Sequence, residues 1–115
     1  MACVNKFGII ECFDKEKNYS VYEPEKYNCI IVHDDIINKL IKPLSVMRSY
    51  WQSYSRPEFG LNHWGVTLIP PESLDLFFDV FTNCKYFKTS EALVDLANVV
   101  IKAKNENKYV IHFGV

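Results

Sequence analysis

Glycine is scarce, with only Gly8, Gly60, Gly65 and Gly114 in 115 residues. Phosphate-cradling loops need clustered glycines so that backbone amides can close around the anion. Four scattered ones make no such loop. Neither GxSxG nor GxxxxGK[ST] occurs, which removes the usual nucleophile elbow and the P-loop. Histidine is almost as sparse: His33, His63 and His112 show no HxH, HxxxH or HExxH spacing. Zinc sites want three or four ligands at workable spacing, so no metal, no cofactor and no catalytic residue is expected, and the chain does not read as an enzyme. A basic surplus is missing too, with 13 Lys and Arg against 14 Asp and Glu and a net charge of −1. Phosphate contacts dominate nucleic-acid affinity, so no direct nucleic-acid partner is expected. No run approaches the roughly 20 apolar residues that span a bilayer. Met1–Lys6 lacks the basic and apolar regions of a signal peptide. The expectation is a cytoplasmic chain without a membrane partner. Cys3, Cys12, Cys29 and Cys84 form no CxxC, and buried, reduced thiols are expected of them.

What is present fits one α+β domain over residues 1–115. The chain is 49% hydrophobic and 15% aromatic, enough for one core. Phe7–Phe13 reads as a strand, and Tyr19–Glu23 as its hairpin partner across a charged turn. Tyr27–Val32 is a third, β-branched strand. Asp34 and Asp35 are good N-caps. Apolar spacing from Ile36 to Trp51 then predicts a helix over 35–51, kinked at Pro43. Residues 52–63 carry no period and read as a loop. Trp64–Ile69 is a fourth strand, stopped by Pro70-Pro71. Leu74, Phe77, Phe78 and Phe81 fall on one helical face, as do Leu93, Leu96, Ala97, Val100 and Ile101 after a cap at Thr89 or Ser90. Tyr109–Phe113 is the last strand. The predicted order is β-β-β-α-β-α-α-β: a mostly antiparallel sheet with about three helices packed on one face, a single-domain sandwich.

The candidate contact residues come from two places. Trp51, Tyr54, Arg56, Glu58, Phe59 and His63 crowd the irregular stretch, and Tyr, Trp and Arg dominate interface hot spots. Asp34, Asp35, Glu23 and Glu25 belong to the acidic first third, where residues 1–35 hold seven acids against four lysines. His33 beside Asp34 and Asp35 could form an acid–base pair, but capping by the aspartates explains them more simply. His112 reads as a packed or locally bonded strand residue. A thiol such as Cys12 in an apolar strand reads as inert.

Gly60–Phe81, GLNHWGVTLIPPESLDLFFDVF, resembles the immunity proteins of bacterial polymorphic-toxin and contact-dependent growth-inhibition systems. Lys108–Val115, KYVIHFGV, is similar to their closing strand. The resemblance implies a binder of a cognate toxin domain, expected to be a nuclease, that covers its active site. Acidic groups would face a basic groove, and the aromatic stretch would anchor the complex. A small-molecule-binding module or small enzyme using the aromatic and histidine residues of 50–64 is the alternative. A homodimer is a further one.

Overall fold

A computed structural model describes residues 4–114; Met1–Cys3 and Val115 lie outside the described residues. Six strands form one sheet: β1 (Val4–Ile10), β2 (Ile30–His33), β3 (Arg48–Trp51), β4 (Pro57–Phe59), β5 (Val66–Ile69) and β6 (Tyr109–Phe113). Their spatial order is β2-β1-β6-β5-β3-β4, and every pairing is antiparallel. The helices are α1 (Asp34–Leu40), α2 (Leu74–Thr82) and α3 (Glu91–Asn105). Three short 3-10 turns, Pro24–Tyr27, Pro43–Val46 and Pro71–Ser73, each begin on a proline. The ring presets the helical φ there, and its missing amide would have had no partner in the first turn.

The expected α+β class holds, an antiparallel sheet with three helices. Alternation along β6 shows how the sheet divides its residues. Val110 joins Phe7, Phe77, Phe81, Leu93 and Leu96 in a core beneath the helices. Ile111 and Phe113 join Ile10, Tyr19, Val66 and Leu68 on the opposite face. That second face carries no helix. Segment 11–29 crosses it instead, with Phe13 stacked on Tyr109 at 3.7 Å and on Tyr19 at 5.5 Å. The sheet is therefore covered on both sides, and all four residues of β5 are buried. Burying a phenylalanine this fully is worth several kcal/mol, so Phe77→Ala or Phe81→Ala would cost about 3–5 kcal/mol.

Four sequence expectations are corrected. Tyr19–Glu23 forms no hairpin strand; an isolated bridge from Asn18, just before it, to Ser53 is the nearest ladder contact. Tyr19 gains more by lying across the sheet as a buried ring than by extending beside β1. The helix expected over 35–51 ends at Leu40, and residues 48–51 become β3. Pro43 cannot continue the α-helical ladder, and β3 then finds partners on both sides: Tyr50 opposite Leu68, and Arg48 opposite Phe59. Ser73 Oγ also donates to the Arg48 carbonyl at 2.7 Å. Within the expected loop, Pro57–Phe59 forms β4 at the sheet edge. The fourth expected strand starts at Val66 rather than Trp64. The observed order is thus β-β-α-β-β-β-α-α-β.

The helices beyond residue 70 follow their spacing, except that Ile101 turns out exposed and Ala103 takes the buried place on α3. Leu74, Phe77 and Phe81 are fully buried. Ser90 caps α3, its Oγ accepting from Leu93 N–H at 3.3 Å, and Lys102 and Lys104 lie in its last turn, where they complement the helix dipole. The described cysteines are free, but Cys12 is exposed beyond the end of β1 rather than buried in it. Cys29 is half-buried, and burial pushes its thiol up to about 11.

Candidate functional site

The ten candidate residues do not share one surface. Trp51 is half-buried and donates its indole N–H to the Gly60 carbonyl at 3.2 Å. Tyr54 is half-buried as well, stacked on Tyr50 at 4.6 Å and edge-on to Phe13 at 6.0 Å. These two rings serve the packing, which corrects the expectation that the whole aromatic stretch faces outward. Arg56, Glu58 and Phe59 are exposed along β4, with Phe59 at 55%. Glu23 and Glu25 flank Pro24 at the start of the 3-10 turn; Glu23 pairs with Lys26 at 3.1 Å, and Glu25 is exposed. Asp34, Asp35 and His63 occupy a third place, the corner where β2 runs into α1.

That corner is built from segments far apart in the chain. His33, not an aspartate, caps α1: its Nδ1 accepts from Asp35 N–H at 3.2 Å. The Asp34 side chain is thereby left for other work. Its Oδ1 receives Asn5 Nδ2 at 3.1 Å and His63 Nε2 at 2.9 Å, and its Oδ2 receives Asn38 Nδ2 at 3.3 Å. Burial opposes the charge on this carboxylate, but the bonds from His63, Asn5 and Asn38 outweigh it. They hold its pKa below the ordinary value.

The bonds continue inward. Asn5 Oδ1 lies 2.7 Å from His112 Nε2, and His112 Nδ1 lies 3.2 Å from Thr67 Oγ1. Thr67 Oγ1 in turn accepts from Asn62 N–H at 2.7 Å. One set of hydrogens satisfies every member. Asp34 can only accept, so Asn5 turns its amide toward it and its oxygen toward His112. His112 therefore carries its hydrogen on Nε2 and accepts from Thr67 on Nδ1. The ring is neutral, and burial pushes its pKa down to about 3, aided by repulsion from His63. By the same logic His63 donates to Asp34 through Nε2.

Asn62 to Gly65 is a turn closed by Gly65 N–H donating to the Asn62 carbonyl at 3.2 Å. His63 and Trp64 sit at its two central positions. The close approach of Gly114 fixes the turn from below: Gly114 N–H donates to the Gly65 carbonyl at 2.7 Å. A Cβ on Gly114 would lie 2.3 Å from the His63 carbonyl oxygen, so only glycine fits without moving the turn. Trp64 stacks on the His63 ring with centroids 4.9 Å apart and planes 13° apart. Its other side faces outward, and at 73% it is the most exposed large apolar side chain among the described residues.

The arrangement is thus an indole mounted on an imidazole, which a carboxylate holds in place through a relay reaching the buried His112. Chemically it offers an aromatic face and an anionic corner. Among the described residues no group of three or more His, Cys, Asp or Glu side chains could hold a metal ion. No helix is long and apolar enough to cross a membrane among those residues.

Sequence reasoning missed Trp64, Asn5 and Thr67. A signal for Trp64 was present, since Asn at the first and Gly at the fourth position favour a turn over Asn62–Gly65. Nothing local marked Asn5 or Thr67, whose partners lie 107 and 45 residues away.

The fold and corner define a small α+β domain whose sheet carries helices on one face and an aromatic crossing segment on the other. Comparison with protein-family models, curated proteins and solved structures finds no match for the chain.

Proposed function

We propose that this chain is a protein-recognition domain of the inhibitory kind, one that binds a toxin domain and covers its active site. The observation that carries the reading is Trp64, exposed at 73% on a stacked and hydrogen-bonded support. Exposing an indole to water forgoes the stabilisation its burial would bring. A ring held this way loses little freedom when a partner covers it, and such pre-ordered aromatic groups are what interface hot spots are made of. The acidic corner formed by Asp34 and Asp35 suits the basic groove of a nuclease, in keeping with the resemblance of Gly60–Phe81 to immunity proteins.

The test uses the full chain as bait in lysate of the source cell, followed by a nuclease assay on whatever is retained. The expected outcome is a captured protein whose nuclease activity appears only after the complex is dissociated. Trp64→Ala should lose capture at least tenfold while keeping the wild-type melting temperature. Phe59→Ala, on the far edge of the sheet, should retain it. Undiminished capture of the same protein by Trp64→Ala would overturn the assignment.

A further inference from the structure

Resting on the recognition reading, we infer that the outer face of Trp64 receives an arginine side chain of the partner protein. Four observations converge on that residue type. First, the inner face of the indole is already taken by His63 in a nearly parallel stack, at 13° between planes. The remaining site is one open aromatic face, not a slot for a ring to enter. Second, tryptophan offers the strongest aromatic face for a cation, and a planar guanidinium can lie parallel to it. Third, the fixed charge beneath this platform is negative. Asp34 is held ionised by three donors, and the Asp35 side chain, next in sequence, is 87% exposed. Fourth, the lysines on two elements that build the corner are directed to other rings: Lys6 of β1 lies over Tyr22 at 5.4 Å and Lys39 of α1 over Tyr86 at 5.7 Å.

Arginine suits the corner better than lysine for a geometric reason. A compact ammonium interacts as a point charge, whereas a guanidinium can stack on the indole and still direct N–H groups edgewise. The Asp35 carboxylate, next to Asp34 at the start of α1 and exposed, is the acceptor proposed for such N–H groups. A neutral side chain of the same shape would keep the stacking and lose the charge term, which makes citrulline the discriminating control.

The probe is the blocked tripeptide acetyl-Gly-Arg-Gly-amide, titrated into the full chain and followed by the two indole N–H resonances. Trp51, bonded internally to Gly60, provides the reference signal. The expected result is a saturable shift of the Trp64 resonance with the Trp51 resonance still. The citrulline tripeptide should bind at least fivefold more weakly. Asp35→Asn should weaken the arginine peptide about twofold without altering the spectrum of the free protein, and raising salt should weaken it further. Equal shifts from the arginine and citrulline peptides, or a Trp64 resonance that does not move, would overturn the arginine assignment. Partner capture that still depends on Trp64 in that case would leave the recognition reading standing. Loss of both would remove the two together.

Discussion

His112 lies at the middle of the polar relay, and its protonation behaviour is the clearest consequence of one residue's position. Fully buried and already bonded at both nitrogens, it refuses a proton until about pH 3, whereas the unfolded chain takes one up near the ordinary histidine value of 6.5. Between those values the unfolded state binds more protons. Stability is therefore greatest above pH 6.5 and falls on acidification, by up to about 1.4 kcal/mol per pH unit from this residue. Urea unfolding at a series of pH values should show that slope beginning well above the carboxylate range, and His112→Gln should flatten it. An unchanged midpoint from pH 7 to 5 would mean that the ring is not held neutral. Asp34 adds to the acid loss lower down. Its depressed pKa stabilises the fold above the ordinary 3.8, and that contribution disappears as pH falls below it. The sequence reads His112 as a strand residue that packs or bonds locally; it is packed inside β6, but its bonds reach residues 45 and 107 positions away. The sequence could not show the bonding partner, because Asn5 is brought alongside only by the pairing of β1 with β6.

At the scale of elements, legibility tracked whether one period was at work. The stripes of α2 and α3 and the β-branched run of β6 each follow a single rule, and all three form where their spacing places them. Residues 36–51 obey two rules in succession. Leu40, Leu44 and Met47 are buried as a helical face would require, yet the backbone has already turned extended at Arg48, and the register with β5 decides the outcome. The edge strand β4 was invisible because it is three exposed residues long, with no buried face to set an alternation. Its chemistry still has a use. Trp51 N–H donates to the Arg56 carbonyl and Gly60 N–H to the Met47 carbonyl, so alternate residues from 56 to 60 point their backbone toward β3. Pro57 then points outward, where it offers no donor to an approaching strand. Pro57→Thr would restore the donor without removing an internal bond. Sedimentation at high concentration should then show self-association beyond that of the wild type. An identical distribution of species would mean the proline has no part in keeping the edge free.

The whole molecule is organised about β6, which separates β1 on one side from β5 on the other. The pairs Lys6 with Phe113 and Val66 with Phe113 show how far apart in sequence its partners lie. Deleting Lys108–Val115 is expected to abolish cooperative unfolding altogether, because it removes the shared neighbour of both halves and opens the two cores together. A melting transition persisting in that fragment would show that one half of the sheet stands alone. The candidate corner belongs to this scale too, since it draws on β1, α1, the Asn62–Gly65 turn and the end of β6. That is why single residues such as Asp34 and His63 could be picked from the sequence while their grouping could not.

The central seat of β6 also bears on how the protein is made. As the nascent chain leaves the ribosome, the strands on either side emerge first and wait with apolar rows uncovered. No native sheet can close until residue 113 is clear of the exit tunnel. Uncovered apolar rows of this kind are prone to aggregate while they wait. Delays in synthesis between β5 and β6 would lengthen that vulnerable interval far more than the same delays before β1 is made.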